Sequence, residues 1–314
     1  MINIRPAVSS ALQAIGNTPL VHLNKVVPAG SGDVYVKLEM FNPTGSYKDR
    51  MALAMIEEAE NRGDLQPGMT VVEYTGGSTG SSLAFVCAAK GYRFQVVCSD
   101  AFALEKLRTM EALGAELILE PSIGGKITPD LIPRMIDRAR ELAARPGIYW
   151  TDQFNNRDSL VGYSEIGREL LHQLPQIDAF CGMVGTAGML MGVSSVLRRE
   201  QPEVKIVALE PATSAVISGQ EAGSHHVEGT GVGFVPPLFD YGAVDEIRLV
   251  DEEEGREMSR RLAREEGIFS GVSSGGNVLA AVRMAQELGP GKTVVTVAVD
   301  SGLKYLTGDL YTGE

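Results

Sequence analysis

Thr70-Val71-Val72-Glu73-Tyr74-Thr75-Gly76-Gly77-Ser78-Thr79-Gly80-Ser81-Ser82 carries the pattern on which the whole chain is built. Five residues rich in β-branched and aromatic side chains give way to glycines and hydroxyls, and an apolar-periodic stretch continues to Lys90. The first part favours a strand, the glycines a tight turn, and the last part a helix. The same alternation recurs on both sides. Strands are expected at residues 34–38, 70–74, 94–98, 116–119, 178–184, 205–210, 246–250 and 293–299. Helices are expected at residues 49–62, 79–90, 104–113, 129–144, 251–266 and 276–288. Alternating β and α segments predict parallel sheets covered by helices on both faces. The strands form two clusters of four with a gap near residues 150–175. An α/β protein of two αβα lobes, with a cleft between them, is the expected architecture. No internal repeat, low-complexity tract or long linker interrupts the pattern.

Composition narrows the class. At 314 residues, 44% hydrophobic and 22% charged, the chain has the make-up of a soluble globular protein with ample core. No apolar run reaches the roughly 20 residues needed to span a bilayer. The opening MINIRPAVSS has no charged segment followed by an apolar stretch, so no signal peptide is read there. Cys87, Cys98 and Cys181 are odd in number and far apart, which predicts reduced core residues of a cytoplasmic protein. The net charge of −12 argues against nucleic acid or an anionic membrane as partner. A small anion remains open to it, because backbone dipoles act locally.

Sheets of this kind bind ligands where strands end and helices begin. Four turns are unusual. In Asn42-Pro43-Thr44-Gly45-Ser46-Tyr47-Lys48-Asp49-Arg50, Lys48 falls in the first turn of a helix. The positive end of the helix dipole disfavours a cation there, an environment that suits Schiff-base chemistry; an ordinary solvated lysine is the alternative. In residues 73–82, backbone N–H groups at a helix start offer a site for a carboxylate or phosphate; close helix–strand packing would explain the same glycines. Val184-Gly185-Thr186-Ala187-Gly188-Met189 forms a second such cradle and matches neither the P-loop nor the dinucleotide fingerprint. Gly271-Val272-Ser273-Ser274-Gly275-Gly276-Asn277 is a serine-rich turn whose default role is helix capping. Gly229-Thr230-Gly231-Val232-Gly233 reads as a loop. A lysine, two anion-binding turns and a serine-rich turn are together the parts that a phosphorylated aldehyde cofactor needs.

These motifs, with Ile15-Gly16-Asn17-Thr18-Pro19-Leu20, Gln153-Phe154, Glu210-Pro211, Gly229-Thr230-Gly231-Val232-Gly233-Phe234-Val235-Pro236 and Ser301-Gly302-Leu303-Lys304-Tyr305-Leu306, resemble the cysteine synthase and cystathionine β-synthase family. These are fold type II pyridoxal-phosphate enzymes, related to the tryptophan synthase β fold. The resemblance runs over nearly the whole chain. It implies a smaller mobile lobe at residues 40–152 and a larger cofactor-binding lobe at residues 1–39 plus 153–314. It also implies pyridoxal 5′-phosphate held on Lys48 as an internal aldimine. By the same resemblance Gly185, Thr186, Ala187, Gly188 and Met189 bind the phosphate, and Ser273 hydrogen-bonds the pyridine nitrogen. Thr75, Gly76, Gly77, Ser78 and Thr79, with Gln153, hold the substrate carboxylate; Ser78 also lies beside the cofactor. No metal is expected, the partners are an amino-acid substrate and a small nucleophile, and the chain is expected to form a homodimer.

The implied reaction is β-replacement through an aminoacrylate, with O-acetylserine or O-phosphoserine as donor and sulfide as nucleophile. Alternatives are a different nucleophile (cystathionine, cyanoalanine or diaminopropionate type), a serine/threonine dehydratase, or a non-enzymatic scaffold. Retention of Lys48 and Ser273 speaks against the scaffold. Three features depart from the family pattern: Ser78 replaces a usual asparagine, Ala187 and Met189 replace the glycine and threonine of the phosphate turn, and the segment at residues 155–169 is shortened. All three surround the expected site, so they bear on which donor and nucleophile it takes. His225-His226 reads as a solvated pair rather than metal ligands.

Overall fold

The computed structural model describes residues 7–125, 128 and 130–312. The first six residues of the opening segment, and Pro129 at the start of the fourth expected helix, lie outside them. The strands are β1 Leu20–His22, β2 Asp33–Leu38, β3 Thr70–Tyr74, β4 Arg93–Cys98, β5 Glu116–Leu119, β6 Ile148–Trp150, β7 Ala179–Met183, β8 Lys205–Pro211, β9 Glu246–Val250 and β10 Thr293–Ala298. The helices are α1 Lys48–Arg62, α2 Ser78–Lys90, α3 Leu104–Ala112, α4 Leu131–Ala143, α5 Asp158–Gln173, α6 Gly188–Glu200, α7 Glu252–Arg261 and α8 Val272–Leu288. The α/β class and the parallel sheets expected from the alternation are observed.

The chain divides into two compact units. Among the described residues, one comprises residues 7–17, Asn42–Thr44 and those between Lys48 and Thr151; the other comprises Thr18–Phe41, Gly45–Tyr47 and residues 152–312. In the first unit a four-stranded sheet has the order β5-β4-β3-β6, and every pair is parallel. The chain winds outward from β3 to β5, then returns to add β6 on the other side of β3, so winding reverses between β3 and β6. All five residues of β3 are buried, as a central strand covered on both faces requires. Met51, Met55, Leu83, Met110 and Met135 pack into this core.

In the second unit a six-stranded sheet has the order β1-β2-β10-β7-β8-β9, antiparallel only at β1. Here winding runs from β7 to β9 and reverses between β7 and β10. All five residues of β7 are buried, and Val294, Val295, Val297 and Ala298 of β10 are buried as well. A core of apolar side chains from β2, β7, β8, β10, α7 and α8 fills the interior.

Several expectations shift. The strand expected at 34–38 is β2, and it pairs with β10 in the second sheet rather than with the nearby strands of the first. Neighbours in sequence were grouped together, but β2 satisfies its backbone with the last strand of the chain. β1 and β6, of three residues each, and α5 were not expected. Helix α8 starts at Val272, so the serine-rich turn is already helical. The helix expected over 251–266 is α7 followed by a π-helical turn, Leu262–Glu266. Residues 7–17 group with the first unit, whereas the expected division placed them in the larger lobe.

Candidate active site

Each sheet offers one crevice of the kind where such sheets bind ligands, outside the carboxyl ends of the strands at which winding reverses. In the first unit this is the end of β3 beside β6. Glu73, fully buried, ties the two strands: its carboxylate accepts from Trp150 Nε1 at 3.3 Å and from Thr151 Oγ1 at 2.7 Å. The turn Thr75-Gly76-Gly77 follows. Thr75 N–H donates to Val97 O at 2.9 Å, and Gly77 N–H donates to Thr75 Oγ1 at 3.1 Å. Gly77 is the N-cap of α2 and makes no side-chain hydrogen bond there, and Ser78 and Thr79 are the first residues of the helix.

Lys48 is the first residue of α1 and is 8% exposed. Its helix start is held from within the unit. Asp49 Oδ2 accepts from Thr44 N at 2.8 Å, and Asp49 Oδ1 accepts from Thr44 Oγ1 at 2.5 Å. Thr44 Oγ1 also lies 3.2 Å from Ser82 Oγ in α2, so the lysine turn and the Thr75–Thr79 turn adjoin. The three residues before Lys48 belong to the second unit, where Tyr47 N donates to Val299 O and Ser301 N donates to Gly45 O, each at 3.0 Å. Burial raises the Tyr47 phenol well above its usual range, helped by the charge of Asp300.

The second unit's crevice lies where β7 and β10 part. Their ladder pairs only Val294 with Ala179 and Val295 with Phe180. Beyond it Asn277 stands between the strands, accepting from Met183 N at 2.7 Å and donating to Val297 O at 2.8 Å. This side chain places the start of α8, and with it Ser273, beside the end of β7. Gly185, Thr186 and Ala187 follow β7 and lead into Gly188 and Met189 of α6. Ala187 adopts the left-handed conformation (φ 68°) and gives α6 no side-chain cap. A Cβ on Gly185 would lie 2.1 Å from Gly229 O, so only glycine fits beneath that loop.

Two hydroxyls mark this crevice. Thr186 is 6% and Ser273 3% exposed, and neither side chain has a hydrogen-bond partner among the described residues. Both still touch open space, unlike the sealed, unpartnered hydroxyls of Ser214 and Ser270. Buried polar groups in proteins are normally satisfied. An uncapped helix start with a free threonine hydroxyl is a receptor for an oxyanion, and the Ser273 hydroxyl supplies a neutral hydrogen-bonding group nearby. Gln153, beyond the end of β6, is buried in the second unit. Asn277 and the Gly229–Thr230 loop were not expected to shape the site; the glycine density at 229–233 was the only local signal for the latter.

The family described as pyridoxal-phosphate dependent enzyme matches residues 11–300 of this sequence. The chain belongs to that family. A cysteine synthase of Staphylococcus aureus is 46% identical over 308 residues, covering 97% of each chain. An O-ureido-L-serine synthase of Streptomyces lavendulae is 39% identical, covering 98% of this chain and 94% of that protein. The crystal structure of a cysteine synthase from Entamoeba histolytica superposes with a TM-score of 0.92 at 33% identity, covering 99% of this chain and 94% of that one. As a member of the family the chain is an enzyme whose cofactor is pyridoxal 5′-phosphate, and its chemistry is β-replacement on an amino acid. The crevice between β7 and β10 fits that cofactor: an oxyanion receptor for its phosphate and a neutral hydroxyl for its ring. Among the described residues no cluster could hold a metal ion, and no helix is long and apolar enough to cross a membrane.

Proposed function

We propose that this chain is a cysteine synthase that replaces the β-substituent of O-acetylserine or O-phosphoserine with sulfide. What supports this most is the pair of buried hydroxyls, Thr186 and Ser273, without hydrogen-bond partners among the described residues and beside a helix start that Ala187 does not cap. Pyridoxal 5′-phosphate, once bound, supplies an electron sink for the pair left at the substrate α-carbon. The backbone N–H groups of Gly185, Thr186, Ala187, Gly188 and Met189, with the Thr186 hydroxyl, hold its phosphate. Lys48 would hold its aldehyde carbon, and Lys48 Nζ would be the base for the substrate α-proton. Ser273 would offer its hydroxyl to the ring nitrogen. A neutral hydroxyl does not retain a proton there as a carboxylate would, so prompt departure of a β-leaving group is favoured over transamination.

The substrate carboxylate is held by Thr75, Gly76, Gly77, Ser78 and Thr79, whose N–H groups open the α2 helix, together with Gln153. The lobe of residues 40–152 is the mobile one, the enzyme acts as a homodimer, and the cytoplasm is its compartment. A second reading, another nucleophile in place of sulfide, is favoured by the O-ureido-L-serine synthase relative. Ser78 supports it too, since a short side chain leaves room beside the ring.

The test adds O-acetylserine, O-phosphoserine and serine singly to the loaded enzyme, with sulfide or with other small nucleophiles, and identifies the amino acid produced. Cysteine from an activated serine and sulfide, absent with Lys48→Ala, is the expected result. A folded, loaded enzyme that makes another β-substituted alanine instead selects the second reading. One that makes no β-substituted product would falsify both.

A further inference from the structure

The structure separates the two histidines that read alike in the sequence. His226 is exposed, and its Nδ1 lies 3.0 Å from Glu252 Oε1. His225 is half-buried and spans its own loop. Its Nδ1 accepts from Val227 N at 3.2 Å, and its Nε2 lies 2.9 Å from Gly231 O. A carbonyl only accepts, so Nε2 carries the proton and the ring is bound as the neutral Nε2–H tautomer. Gly231 sits at φ 55°, and a Cβ there would lie 2.5 Å from His225 Nε2, so the ring and a side chain cannot share that space. The closed loop is stitched onward. Thr230 Oγ1 donates to Val227 O at 3.0 Å, and Gly231 N donates to Val184 O at 3.2 Å. Val184 is the residue before the Gly185 turn, and Gly229 O rests against Gly185 itself.

The turn beneath needs such support. Ala187 holds a left-handed backbone conformation, which an L side chain adopts at a cost and keeps only when its surroundings dictate it. No side chain caps the helix that follows. We propose that His225 is a positioning residue for cofactor retention: its ring locks residues 227–231 against the Gly185 turn, and the locked loop keeps that turn shaped to grip an oxyanion. This rests on assigning residues 185–189 to the cofactor phosphate.

The test uses the holoenzyme of wild type, His225→Ala, His225→Gln, Gly231→Ala and Gly185→Ala. It reads the phosphorus-31 resonance of the bound cofactor and the rate at which cofactor is lost on dialysis. His225→Ala and Gly231→Ala are expected to shift the resonance and speed the loss about tenfold, roughly the effect of one hydrogen bond worth 1.4 kcal/mol. His225→Gln, which can still offer an N–H to Gly231 O, should recover most of both. If His225→Ala matches wild type in both readouts while Gly185→Ala does not, the role of His225 is wrong and the phosphate assignment stands. If Gly185→Ala also matches wild type, the phosphate assignment fails and the proposal with it.

Discussion

Thr186 shows how a single hydroxyl can be a cost to the fold and a gain to the site. It is buried without a hydrogen-bond partner among the described residues, so folding has removed it from water with no intramolecular return. Thr186→Val keeps the shape and removes that cost. The cofactor-free variant should melt no lower than wild type. Its affinity for pyridoxal 5′-phosphate should fall about 10- to 100-fold, the equivalent of roughly 1.5–3 kcal/mol for a hydrogen bond to a charged group. Thermal melting and cofactor titration together check this; unchanged affinity would remove Thr186 from the phosphate site. Gly185→Ala is harsher, because the new Cβ meets the backbone oxygen of Gly229 at 2.1 Å. The loop or the turn must shift, and cofactor affinity should drop more than for Thr186→Val in the same titration. At this scale much was legible. The lysine turn and the glycine turns announce themselves through local backbone chemistry. That Ser273 lies within a helix, and that its hydroxyl and that of Thr186 have no partner among the described residues, depends on what packs around them and could not be read from the chain.

Asn277 makes the same point for an element. It fills the gap where β7 and β10 cease to pair, satisfying one donor and one acceptor that the ladder leaves over. Asn277→Ala strands Met183 N–H and Val297 C=O in a core where both strands are buried. The loss should be about 2–4 kcal/mol, from two buried groups left unsatisfied, and is read from chemical denaturation. Asn277→Asp should cost stability too, since a carboxylate can accept from Met183 N but offers Val297 O no proton. A loss below about 0.5 kcal/mol for Asn277→Ala would mean that water replaces the amide. The long central strands were visible as apolar runs, since burial on both faces leaves a continuous apolar signature. β1 and β6 were not: three residues, each only partly buried, carry too little pattern. The alternation of strands and helices misplaced β2, whereas the division implied by the resemblance put residues 1–39, β2 included, with the larger lobe. The register of β2 with β10, Asp33 opposite Thr293 through Leu38 opposite Ala298, is decided between the two ends of the chain, and no local window contains it.

Across the whole molecule the three cysteines report on the integrity of both units. Burial pushes the thiol of Cys87 up to about 12, aided by the charge of Glu60. Burial does the same to Cys181, up to about 12, and to Cys98, up to about 11, from an ordinary value of 9.0. The nucleophile is the thiolate, so iodoacetamide at pH 8 should leave the native protein unlabelled and modify all three in urea; mass spectrometry counts the adducts. The sign of the pH effect follows. The folded state keeps these protons where the unfolded state gives them up, so the thiols leave stability unchanged below about pH 9. Above that it falls, by up to about 1.4 kcal/mol per pH unit for each thiol. Denaturation midpoints that stay level from pH 8 to pH 11 would contradict this.

The pairing of β2 with β10 also sets a timetable for synthesis. A ribosome makes β2 well before β10, so one side of β2 in the six-stranded sheet stays open until residues 293–298 have been made. The first unit's sheet has no such wait, because β3 to β6 emerge as one run. A nascent chain halted before residue 293 should therefore hold a finished small sheet and an unfinished large one. The large sheet gains its central strand only once synthesis has passed residue 298.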